Sequence, residues 1–156
     1  PLEVSRVLAI TLKDKIAKAG VQSSVELDTI YYTDEECLER LSTVDLIVLP
    51  YQQTQESSSA AVRHAIASGA PVAVTPLRIF QNVEDATIRF PGTDVNALVD
   101  GIRNVIAWDS EQKKDYLSQA KQWREAHSYR IIAKRLEGML CGLHRLKSQQ
   151  TYRCGD

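Results

Sequence analysis

Cysteine is scarce in this sequence and poorly placed for crosslinking. The three thiols, Cys37, Cys141 and Cys154, are odd in number and scattered, so neither a disulfide framework nor a paired zinc-ligand spacing can be read from them. Histidine is as rare, and His64, His127 and His144 fall into no ligand cluster; no structural metal is expected. No apolar run approaches the ~20 residues needed to cross a bilayer. No basic-then-apolar leader opens the sequence given, and a cytoplasmic address is the expectation. Net charge is only −1 at neutral pH, which excludes the strongly basic balance of a general nucleic-acid binder. Internal repeats and low-complexity linkers are also lacking.

What is present is the balance of a globular protein, 44% apolar and 25% charged over 156 residues. One domain of that length buries roughly 70% of the surface its unfolded chain exposes, so an ordinary core is available. Charge is unevenly spread. The stretch from Glu26 to Glu56 is mostly acidic, whereas Tyr129 to Arg153 holds six Lys or Arg against the single Glu137. Such a basic run reads as a solvated helix face, or as a peripheral contact with an anionic membrane.

Apolar periodicity in Val4, Val7, Leu8, Leu12, Ile16 and Ala19 predicts a helix ending at Gly20. Val25 to Tyr31 reads as a strand, interrupted by Asp28 and Thr29. Thr33 and Glu36 make a capping box for a helix through Leu41. Leu46 to Leu49 is a short unbroken apolar run of the kind buried on both faces of a parallel sheet, closed by Pro50. A small-residue helix over 58–68 ends at Gly69, and Val72 to Val74 forms a second buried strand. Thr87 to Phe90 reads as one more strand before a Pro91-Gly92 turn and a helix from Asp94 to about Ala107. Helices near 111–126 and 129–147 follow, the last continuing as a basic tail to residue 156. Strands alternating with helices at these spacings predict an α/β fold, a doubly wound parallel sheet with helices on both faces.

That class takes ligands at the carboxyl ends of its strands, which singles out the loop from Pro50 to Ser57. A helix amino terminus offers unpaired N–H groups and a positive dipole, worth roughly 0.3–2 kcal/mol to an anion. Ser57, Ser58 and Ser59 add hydroxyls there, and serve either as phosphate donors or simply as helix caps. Arg63 has reason to reach a phosphate as a bidentate donor and equal reason to point into solvent. Tyr31 or Tyr32, just past the Val25–Tyr31 strand, is placed either to stack on a base or to pack in a core.

The order of these pieces resembles a known family. Asp45 to Pro50, then Glu56 with seven residues before His64, then Ala65-Ile66-Ala67-Ser68-Gly69-Ala70-Pro71-Val72, is similar to the pattern of retaining GT-B glycosyltransferases, of the group 1, family-four-like kind. In that family two glutamates flank seven residues and a Gly-x-Pro-Val-like turn follows. The resemblance extends through Phe90-Pro91-Gly92-Thr93-Asp94 to about Tyr129 and covers most of the chain. It implies that residues 1–156 are one partial donor-binding domain, the carboxyl-terminal half of a GT-B enzyme lacking its first strands, with a terminal helix over 128–147. It implies transfer of a sugar from a nucleoside diphosphate sugar to a glycan or lipid-linked hydroxyl acceptor, with retention and with no cofactor beyond that co-substrate.

Carried over residue by residue, the resemblance makes Glu56 the catalytic-site acid that accepts hydrogen bonds from the donor sugar. It sets Ser57, Ser58 and Ser59 against the diphosphate, and Tyr32 against the base. The family's second glutamate, a ribose ligand, falls on His64; a neutral imidazole could hold one hydroxyl but not grip two. Thr75 to Phe80 occupies the loop facing sugar and acceptor, without the usual paired glycines. The family's basic diphosphate ligand near its first strands has no counterpart here, and the missing strands and acceptor-binding domain are expected from a longer polypeptide or another chain. Two other functions fit the same sequence: a non-catalytic interaction module of GT-B ancestry, and a GT-B-shaped sugar-nucleotide epimerase.

Overall fold

The computed structural model describes residues 2–151; the end of the basic tail, with Arg153 and Cys154, lies outside them. The chain divides into two compact units, residues 1–35 and 36–156. In the first, α1 (Leu2–Lys18) ends near Gly20, whose φ of 69° is the left-handed conformation that glycine adopts without strain. The Val25–Tyr31 strand does not form: these residues carry no regular structure. Asp28 accounts for this locally. Its carboxylate accepts from the Ile30 N–H at 2.9 Å and from the Tyr32 hydroxyl, and short polar side chains that satisfy nearby backbone compete with a sheet ladder.

The second unit holds an α/β core. It runs α2 (Asp34–Ser42, beginning at the boundary), β1 (Ile47–Leu49), α3 (Ala60–Ser68), β2 (Val72–Val74), a 3₁₀ segment (Arg78–Ala86), β3 (Ile88–Arg89), α4 (Val95–Ile106), α5 (Ser110–Ala126) and α6 (Tyr129–Thr151). The three strands form one parallel sheet in the order β1-β2-β3, with Val48 opposite Ala73 and Val74 opposite Arg89. β2 is central and completely buried. β1 and β2 form inside the apolar runs Leu46–Leu49 and Val72–Val74, as expected of strands buried in a parallel sheet, and β3 forms inside the expected 87–90 segment, with Ile88 half-buried and Arg89 exposed.

Around β2 the core gathers Val62, Ala65 and Ile66 of α3 with Ile79, Phe80, Val83 and Ala86 of the 3₁₀ segment. The spacing Phe80, Val83, Ala86 matches the three-residue turn of a 3₁₀ helix, whose side chains eclipse every third position. Helix α5 packs mainly on this segment and also on α3. Its Tyr116 hydroxyl donates to the Ala86 carbonyl at 2.9 Å and accepts from the Val72 N–H at 3.1 Å. One phenol thus satisfies two buried backbone groups, at the start of β2 and the end of the 3₁₀ segment. On α5, Arg124 lies over Gly69, the left-handed cap of α3 (φ 90°), and donates to the Ile66 carbonyl at 3.4 Å. The α5 amino terminus is closed by a full capping box between Asp109 and Gln112.

Two outcomes follow from this packing. A Cβ at Gly101 of α4 would overlap Phe90 Cδ1 and come within 2.7 Å of its Cε1, and Phe90 is itself buried. An alanine in a helix normally gains about 1 kcal/mol over glycine, but overpacking costs about 1–3 kcal/mol, so Gly101→Ala should lower the urea midpoint with the slope unchanged. Burial pushes the Tyr116 hydroxyl above its ordinary value of 10.0, partly offset by the Val72 N–H and the Arg124 charge. Above that value the unfolded chain loses the proton while the folded chain keeps it, so the stabilisation is whole below the unfolded pKa and declines as pH rises past it. A stability titration from neutral to alkaline pH should show this decline, and Tyr116→Phe should flatten it.

Candidate functional site

A cleft of about 980 Å³ opens at the carboxyl ends of all three strands. Its walls are the loop after β1 (Gln52 to Ser57), the segment after β2 (Leu77 to Ile79, with Gln81 and Asn82), and Thr93 after β3. In a parallel sheet these ends lie on one side, which is where open α/β sheets hold ligands.

Tyr51 sets the loops that frame the cleft. Its carbonyl accepts from the fully buried Thr75 hydroxyl at 2.8 Å, which ties the loop after β1 to the end of β2. Its ring packs tilted against Phe80 with centroids 5.1 Å apart. Its own hydroxyl lies 3.2 Å from Ser59 Oγ. Beyond this anchor, Gln52 Nε2 donates to the Thr93 carbonyl at 3.2 Å and links the first loop to the third. The Glu56 N–H donates to Thr54 Oγ1 at 3.2 Å, a local turn that holds Glu56 on the rim with its side chain exposed.

The expected residues separate into two groups. Glu56 and Ser57 line the cleft. Ser58, Ser59, Arg63 and His64 do not. Ser59 is buried and is the amino-terminal cap of α3, its hydroxyl accepting from the Val62 N–H at 3.3 Å, so of its two readings it takes the capping one. Arg63 is exposed on α3. His64 is half-buried, with Nε2 shielded from solvent and without a hydrogen-bond partner. Tyr32 belongs to the first unit, where its hydroxyl meets Asp28.

Other lining groups had no individual mark in the sequence. Gln52, Gln53, Gln55, Gln81 and Asn82 make the wall rich in amides, and Arg78 is the single cation among the lining residues, as Glu56 is the single anion. The available signal was position: Arg78 falls within Thr75–Phe80, the loop that the family resemblance sets against sugar and acceptor. Amides both donate and accept, so the wall can bond neutral polar groups, while the guanidinium and carboxylate add one site for an anion and one strong acceptor. Among the described residues, no three His, Cys, Asp or Glu side chains are gathered as a metal site would need. No protein-family model matches this chain, and no curated protein is significantly similar to it.

The two serine roles can be told apart by stability. Ser59→Ala should cost about 1 kcal/mol through loss of the cap, whereas Ser58→Ala on the exposed loop should stay within about 0.5 kcal/mol of the parent. Urea denaturation of the two variants measures both.

Proposed function

We propose that this chain is the donor-binding half of a retaining GT-B glycosyltransferase, a doubly wound domain that passes a sugar from a nucleoside diphosphate sugar to a hydroxyl acceptor. The observation that carries the reading is the amide-lined cleft at the carboxyl ends of three parallel strands, with Glu56 and Arg78 both on its wall. A sugar presents hydroxyls without charge, which amides and a carboxylate match as donors and acceptors. A diphosphate requires positive charge, and Arg78 supplies it from the segment after β2.

On this reading Glu56 accepts hydrogen bonds from the sugar, and Arg78 offsets the charge that grows on the leaving diphosphate as the glycosidic bond breaks. Arg78 therefore takes the part of the basic ligand that the sequence pattern alone left unfilled. Ser57 donates to the same phosphates from the loop that enters α3, whose dipole has its positive end there. The chemistry is carried by placement of groups more than by proton transfer. The acceptor is held by a partner domain outside these residues.

Calorimetric titration with uridine, guanosine and adenosine diphosphates and their glucose conjugates tests this reading. One nucleotide should bind selectively. Glu56→Ala should weaken only the sugar conjugate, by about ten- to a hundredfold, since hydrogen bonds to an ionised acceptor are worth about 1.5–3 kcal/mol. Arg78→Ala should weaken nucleotide and conjugate alike. Absence of binding by every nucleotide would overturn the proposal and favour an interaction module.

A further inference from the structure

Helix α6 is 23 residues long, and every described side chain from Ile132 to Arg145 is exposed. These side chains are not mixed at random. At 100° per residue, Ile132, Leu136, Met139, Leu140 and Leu143 fall on one face together with Tyr129. All six are exposed, Met139 at 67% and Tyr129 at 94%. Arg130, Lys134 and Arg145 lie on the other side and Arg135 at its flank, against Glu137 as the one acid between Tyr129 and Arg145.

Three occupants fit an apolar helix face, the partner domain called for above, a second copy of the helix or a lipid surface, and the cations around the face favour the last. Two copies would bring together helices with the same positive excess. The ion pairs that set coiled-coil partners need opposite signs beside the seam, and here one edge carries Arg135 while the other carries Ala133 and His144, with the single acid Glu137 set further from the face. The apolar face is also wider than a coiled-coil seam and spans only about two heptads, fewer than such a seam needs. An anionic bilayer meets both halves of the pattern: it takes the apolar arc between its acyl chains and the cations among its headgroups. Tyr129, on the same arc and almost wholly exposed, has the amphipathic ring that favours the headgroup level.

We infer that α6 lies in the surface of an anionic phospholipid membrane, with Ile132, Leu136, Met139, Leu140 and Leu143 inserted and Arg130, Lys134, Arg135 and Arg145 at the headgroups. This holds whatever ligand the cleft takes.

Co-sedimentation of the whole chain with vesicles of phosphatidylcholine, alone or mixed with phosphatidylglycerol, tests the inference at low and high salt. Binding should be at least about tenfold tighter to the anionic vesicles and weaken with salt, since each cation near such a surface contributes about 1 kcal/mol. Lys134→Glu with Arg135→Glu should cost about tenfold or more, and Met139→Asp should abolish binding, both with helical circular dichroism retained. Equal binding to the two vesicle types, or none, would overturn the inference. So would self-association without vesicles that Met139→Asp removes, which would assign the face to a second copy.

Discussion

The buried central strand is the constraint on which the second unit depends. Val72, Ala73 and Val74 are wholly inaccessible to solvent, so every amide and carbonyl they carry needs a partner within the protein. β1 and β3 supply most of these. The ladder is extended at its ends by the Ile47 N–H to the Pro71 carbonyl and the Phe90 N–H to the Val74 carbonyl. Where it runs out, side chains continue it: the Tyr116 phenol takes the Val72 N–H. The side chain of Thr75, the residue that leaves the strand, reaches across to the loop after β1. The cleft is consequently built on the same hydrogen bonds that let β2 be buried.

How much of this was legible in the sequence depended on whether burial or local bonding decided each segment. β1 and β2 were readable because three consecutive apolar residues between turn signals have few other uses. The 3₁₀ segment was harder to read: Ile79, Phe80, Val83 and Ala86 share one face at helical spacing, but over only nine residues and with no capping side chain to mark the start. Residues 25–31 have strand-like composition but are governed by Asp28, whose carboxylate bonds its own neighbourhood. A period count weighs apolar positions and gives no weight to such a bond.

The candidate site divides the same way. Glu56, singled out through the family resemblance, and Ser57, from the loop after β1, both lie on the cleft wall. Ser59 was marked with two roles, cap or phosphate donor, which occupy the same place in sequence, and the structure shows it capping α3. Arg78 and the wall of glutamines had no distinguishing pattern: exposed polar residues on a loop look alike until the strand ends bring them together. Tyr51 was equally hidden, because its carbonyl, ring and hydroxyl each serve a different neighbour.

The strands that support the cleft are only two or three residues long, and the residues that face into it come from the loops after the strands and from the 3₁₀ segment. Exposed positions such as Gln53, Gln55, Gln81 and Asn82 contribute little to the buried core, so their replacement carries a small thermodynamic penalty. Recognition can therefore drift while the framework is retained. In evolutionary terms the molecule separates what must be inherited intact, the Tyr51–Thr75–Phe80 bracket behind the wall, from what is free to diversify on its surface.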